Sequence, residues 1–398
     1  MKKITPTFAC ALLVATLLAC STRPRAPLTG VAPCVSTNAP AVQASVGTKA
    51  LSLLTCTFDV HARSLGPKGA HYPTAPVWVG DAFLAAYLQT TPHALWVHRI
   101  EIDGTVGPGH KVREGARLSA PRLAAYGDDI VLTVADENKT EGIYLNRDGT
   151  PNATRPPIAM PESIEDLSVG PRGPLVTYAA SEERLIVREM KRTPSLVSHA
   201  APPPWMPEPQ EQLIASGEEA DVALAPSAHE TKLLAFAPGA SKPSSEDAIV
   251  TDKSPVEASV AAGKLGFLVA STEWNIITLH RFDTRGVTLG SPVSFGTLPT
   301  VRYPRVGSIP SGWVVTYWDG IGPSIVRFDE AGHAVHRPMP LRTGDERGGH
   351  TDARIAVGTS SLAVTWYVGP PAMGHGKAIE EPTHPGPRVA VLTCEGSP

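Results

Sequence analysis

Long helical segments, extended apolar runs, basic clusters and metal-ligand spacings are all scarce in this 398-residue chain. Its 40 prolines and 35 glycines exclude a domain of long helices, because proline removes a helix donor and clashes with the preceding turn. No Lys/Arg run occurs, the net charge is −3 and the pI is about 6.5, so the electrostatic footprint of a nucleic-acid binder is missing. Five cysteines include no Cys-x-x-Cys pair and no Cys/His zinc spacing. There is no Gly-x-Ser-x-Gly elbow, no phosphate-cradling glycine loop and no His-Glu-x-x-His. No cofactor or metal is therefore expected. The N-terminal apolar stretch, Phe8–Ala19, is well short of the roughly 20 residues that a membrane-spanning helix needs.

What is present is a repeat. Seven copies begin near Pro76, Pro121, Asp166, Leu213, Ala258, Pro304 and Ala353. In each, an apolar start is followed by two β-rich runs that commonly end in an Asp/Gly turn. Pro121–Ala125, Ile130–Val134 and Ile143–Leu145 lead into Asp148-Gly149; Pro304–Ser308, Trp313–Trp318 and Ile325–Phe328 lead into Asp329 and Gly332. A unit of about 46 residues matches a four-stranded propeller blade, which cannot bury both of its faces alone and must stack on neighbours. The expected fold is all-β, a seven-bladed β-propeller of four-stranded antiparallel blades. The fourth copy, Leu213–Pro255, is degenerate, which leaves six blades as the alternative. The last copy stops after Arg388–Thr393, one strand short. Ala50–Phe58 is the expected closing strand, removing a sheet edge at the seam. Ala82–Leu88 has helix-like composition, but the repeat places it in a second strand.

Lys2 and Lys3 before the apolar Phe8–Ala19 make a secretory signal. Leu17-Leu18-Ala19-Cys20 resembles the lipobox of bacterial lipoproteins. That resemblance implies cleavage before Cys20, lipidation of its thiol, and, with Ser21 following, a place at the outer membrane, facing the periplasm or the surface. The expected division is a signal peptide over 1–19, a lipidated Cys and flexible Pro/Ala/Ser/Thr tether over 20–49, and the propeller over 50–398. Cys34, Cys56 and Cys394 remain for one disulfide in an oxidising compartment. Cys56–Cys394 would staple the seam; Cys34–Cys56 is the alternative.

Three copies carry Arg directly after the anchor: Arg122, Arg305 and Arg354. At a channel mouth they suit an anionic group. The alternative is pairing between blades with Asp128, Asp129 or Asp352. On the expected ligand face stand Trp274, Asn275, Tyr303, Trp318, Asp319, His350 and Asp352, a mix of rings and polar groups suited to a sugar or peptide. Trp313 is expected to pack between blades. The insertion 368–386 holds His375, Glu380, Glu381 and His384 with no metal-binding spacing, and reads as a solvated loop. The blades loosely resemble TolB-like ones, while repeated sialidase-type, quinone-docking, WD and kelch consensus pairs are missing. The expected function is a lipid-anchored, monomeric, non-catalytic binding or scaffold protein. Its partner would be an envelope protein or an extracellular glycan or peptide. A propeller glycosidase or lyase is the alternative, and would need two convergent titratable groups at one site.

Overall fold

The computed structural model describes residues 62–67, 69–115, 117–119, 121–126, 128–136, 139–160, 164–170, 173–181, 184–189, 195–198, 212–226, 231–238, 240, 242–250, 257–273, 275–296, 301–341, 353–369 and 385–393. Among these residues every regular element is a strand, and the strands form seven antiparallel sheets. Six are four-stranded. The first sheet has a fifth strand because its inner strand is broken into Ala70–His71 and Val77–Trp78, both pairing with Ala82–Thr90. The first strands of the remaining sheets are Arg122–Tyr126, Ile164–Gly170, Ile214–Ser216, Glu257–Gly263, Arg302–Ile309 and Arg354–Val357. Each lies within two residues of its expected anchor. The degenerate fourth copy forms a complete sheet, ending in Ser245–Val250.

Ala82–Thr90 shows why tertiary packing decides the strand. Ala82, Leu84, Ala86 and Leu88 join a cluster with Leu123, Ile130 and Leu132 of the second sheet. The alternating Phe83, Ala85 and Tyr87 join Ala363 and Val389 of the seventh. A two-residue period buries both faces, and a helix cannot divide the same residues between opposite neighbours. Each buried Leu, Val or Phe adds about 1.5–3 kcal/mol.

The same logic recurs along the chain. Each first strand touches the next one in order, and Arg354–Val357 also touches Val77–Trp78 of the first sheet. Apolar clusters join consecutive sheets, including the seventh to the first. Trp313 is buried among Leu268, Ala270 and Val315, so it packs between the fifth and sixth sheets as expected. Trp366 does the same work in the cluster joining the sixth and seventh. The Asp/Gly turns also form: Gly149 and Gly332 sit at φ 90° and 84°, where only glycine is unstrained.

At the N-terminal side, Arg63–Ser64 pairs antiparallel with Gly386–Thr393 and gives the seventh sheet its fourth strand. The expected segment 50–58 lies outside the described residues. Among the described residues, Arg63–Ser64 is what shows of this outer strand.

Candidate functional site

A cavity of about 310 Å³ lies against the first strands of six sheets. Its wall is built from Thr74–Val77, Pro121–Ala125, Asp166–Ser168, Gln212, Ile214–Ser216, Val260–Ala262 and Ile355. Small residues such as Ala75, Ala124, Ala215 and Ala261 stand in it beside Arg122, Asp166 and Gln212. The large side chains of their neighbours serve the clusters between sheets.

Polar side chains in this region stitch sheet to sheet. Asp166 is buried, and its carboxylate accepts hydrogen bonds from the amides of Leu167 at 2.9 Å, Leu213 at 2.6 Å and Ile214 at 3.1 Å. The last two belong to the lead-in and first strand of the fourth sheet. Gln212 accepts from the Val306 amide at 3.1 Å through Oε1, and its backbone carbonyl accepts from Val260 at 2.9 Å. Glu257 accepts from the Tyr303 amide at 2.5 Å. Thr365 donates its hydroxyl to the Thr74 carbonyl at 2.7 Å, tying seventh sheet to first, and Thr316 donates to the Ala353 carbonyl. These residues were missed in the sequence. A signal existed: Thr or Ser recurs 11–13 residues after five anchors, at Thr133, Thr177, Ser271, Thr316 and Thr365.

The three arginines occupy one register. Arg122, Arg305 and Arg354 lie opposite Thr133, Thr316 and Thr365 in the adjoining second strands. Arg122 and Arg305 are buried, and each donates from Nη1 to the carbonyl of the preceding proline, at 3.2 and 3.1 Å. Arg354 is half-buried. Of the three, Arg122 lines the cavity. Asp128 pairs with Arg147 at 2.6 Å and Asp129 with Arg155.

On the expected ligand face, Trp318 is half-buried opposite Arg302. Asp319 caps its own turn: Oδ1 accepts from the amides of Ile321 and Gly322, and Oδ2 from the Ser324 hydroxyl at 2.8 Å. Asn275 is exposed. Tyr303 is half-buried, with φ 54°. Trp274, His350 and Asp352 lie outside the described residues, as do Cys20, Cys34, Cys56, Cys394, His375, Glu380, Glu381 and His384.

One feature unites this end of the molecule. The three non-glycine residues with positive φ among those described are Tyr72 at 49°, Gln212 at 59° and Tyr303 at 54°. Tyr72 sits in the break of the first sheet's inner strand. Gln212 and Tyr303 stand at the starts of the fourth and sixth sheets' first strands. Such a conformation costs about 1–3 kcal/mol in a side chain of this size, and strain of this kind gathers at functional surfaces.

Small antiparallel sheets set side by side along their first strands place the chain in the β-propeller class. No family model matches it, and no curated protein does. Among solved structures it is similar to the Dos1 propeller, at 12% identity over 78% of this chain and 75% of that one, with a TM-score of 0.46. It is also similar to Hsv2 of Kluyveromyces lactis, at 13% identity over 73% of this chain and 90% of that one, with a TM-score of 0.40. Likenesses this distant carry no residue roles across.

Proposed function

We propose that this chain is a lipid-anchored envelope protein whose seven sheets form one closed, seven-bladed ring that binds a partner without catalysis. The partner is an extracellular glycan or peptide, or an envelope protein, held on the face where the first strands begin. The observation that carries this reading is the gathering of left-handed Tyr72, Gln212 and Tyr303 at that face. Contacts and apolar packing between the seventh and first sheets support closure, as does the pairing of Arg63–Ser64 with Gly386–Thr393. Two described carboxylates toward this face serve the fold: Asp166 and Asp319 each accept three hydrogen bonds from the protein itself. That favours a binder over an acid/base catalyst, which needs carboxylates free to exchange protons with substrate.

Anchoring rests on Leu17–Cys20 and the preceding signal. Several acyl chains at Cys20 would hold the protein firmly, since each buried CH₂ contributes about 0.8 kcal/mol. Cys20→Ser is expected to move the protein from the membrane to the soluble fraction on ultracentrifugation. Unchanged partition, with no lipid mass on the wild-type N-terminus, would refute the anchor.

Arg122 supplies the cavity wall with a cation, so an acidic group on the partner is its complement. A charge-assisted hydrogen bond is worth about 1.5–3 kcal/mol. Arg122→Gln is therefore expected to weaken capture of polygalacturonate or polyglutamate about tenfold or more, with the fold retained and no more stability lost than its bond to the Pro121 carbonyl supplies. A lowered melting temperature with unchanged capture would make Arg122 a packing residue.

A further inference from the structure

The described residues include one group of rings that neither the core nor the cavity absorbs. His71, Tyr72 and Tyr367 meet where the first and seventh sheets adjoin. The His71 and Tyr367 ring centroids are 5.1 Å apart and tilted by 46°; those of His71 and Tyr72 are 6.2 Å apart and tilted by 49°. Tyr72 is 56% exposed, the highest value among the exposed large apolar side chains of the described residues. Its backbone is left-handed at φ 49°. A tyrosine pays steric strain there that glycine would not, and an exposed ring returns little burial in exchange. The fold therefore gains nothing evident from a ring at this position.

Location adds to this. Tyr72 lies two residues before Thr74, where the cavity wall begins. Tyr367 is near the end of the strand Ser361–Val368, two residues beyond Thr365, which lies opposite Arg354 at the start of the seventh sheet's first strand. The rings are thus at the end of the sheets where first strands begin, on the surface already assigned to the partner.

Their electrical character selects a ligand class. Burial holds the His71 imidazole below its ordinary pKa, so it is neutral at pH 7. Burial and the neighbouring Tyr72 hold the Tyr367 hydroxyl above its ordinary range, so it stays protonated. The cluster has flat apolar faces and polar tips. Two faces set at roughly 45° to a central ring suit the C–H face of a pyranose, with hydroxyl and imidazole groups at the rim to meet sugar hydroxyls.

We propose that His71, Tyr72 and Tyr367 form a saccharide-stacking site at the junction of the first and seventh sheets, with Tyr72 as the principal ring. The proposal rests on the binding reading above and narrows it to a glycan. A neutral probe separates it from the Arg122 contact.

The test uses the full mature chain and N-acetylglucosamine oligomers, titrated calorimetrically at pH 7. The wild type is expected to bind. Tyr72→Gly should weaken binding at least tenfold while leaving the melting temperature equal or higher, because glycine removes the strain together with the ring. Tyr72→Phe should retain binding within about threefold, since the ring face remains. Tyr367→Ala should weaken binding as well. A lower melting temperature for Tyr72→Gly, with unchanged binding, would overturn the site and make Tyr72 a packing residue. Wild type that ignores the saccharides, or that takes up a proline-rich or aromatic peptide through Tyr72 instead, would overturn the ligand class. In either of those cases the Cys20 and Arg122 outcomes still stand or fall independently.

Discussion

Asp166→Ala is expected to lower the unfolding free energy by about 3–5 kcal/mol, more than any surface substitution in the molecule. Three backbone amides converge on this carboxylate, and the group is 4% exposed. Removing it leaves buried donors without their acceptor, and each unsatisfied buried group costs about 1–3 kcal/mol. The effect reaches beyond one strand, because Leu213 leads into the fourth sheet and Ile214 opens it, while Asp166 belongs to the third. The carboxylate fixes where the fourth sheet's first strand starts and how it lies beside its neighbour. Asp166→Asn keeps one carbonyl acceptor and loses the charge, so its loss should fall between wild type and alanine. Urea denaturation followed by circular dichroism measures both. An alanine variant within about 0.5 kcal/mol of wild type would mean that water or relaxation satisfies those amides, and that the packing clusters alone align the sheets.

Much of this architecture was legible because blade strands buried on both faces read as short β-rich runs, and each hairpin must end in a turn. The anchors from Pro121 to Ala353 fall within two residues of the starts of first strands for that reason, while Pro76 precedes the second piece of the first sheet's broken inner strand. The outer strand of the seventh sheet was harder to place. Arg63–Ser64 is two exposed polar residues long, and it is held by backbone hydrogen bonds that leave no trace in side-chain pattern. The sequence expectation rested on the β-rich run at 50–58, which lies outside the described residues. The arginines were found at the right register, but their environment was not. Successive strand residues point to opposite faces, and sequence does not say whether a guanidinium enters the cavity or lies among strands. In the structure Arg122 does line the cavity, whereas Arg305 is buried without lining it.

The ring site was illegible for a different reason. Positive φ at Tyr72 contradicts residue preference, since such positions ordinarily select glycine or asparagine. A reading built on propensity passes over a residue whose conformation is imposed by its surroundings. The inter-sheet threonines stood between these extremes. Their spacing was visible, but threonine is common in strands for its β-branched shape, so the hydroxyl donated by Thr365 to the Thr74 carbonyl looked like ordinary strand composition.

Gly312→Ala should destabilise the protein by about 3 kcal/mol or more, and Gly266→Ala should behave alike. Each glycine opens the second strand of its sheet after a tight turn, at φ 134° and 122°. A Cβ on Gly312 would lie 2.3 Å from the Phe328 carbonyl oxygen and 2.8 Å from the Asp329 carbonyl carbon. On Gly266 it would lie 2.1 Å from the Phe282 oxygen and 2.6 Å from the Asp283 carbonyl carbon. These obstacles are backbone atoms of the adjoining third strand, so no side-chain rotation relieves them. The hairpin or the third strand must shift, and with it Phe282 or Phe328, both buried in the clusters between sheets. Gly69 is the control. It also has positive φ, at 90°, but a Cβ there meets nothing within 4 Å. Gly69→Ala should cost only the conformational penalty, about 1–2 kcal/mol. Chemical denaturation of the three variants separates the two contributions. Equal losses at Gly69 and Gly312 would assign the whole effect to φ, whereas a markedly larger loss at Gly312 and Gly266 assigns the excess to the close approach of two strands that only a missing side chain permits.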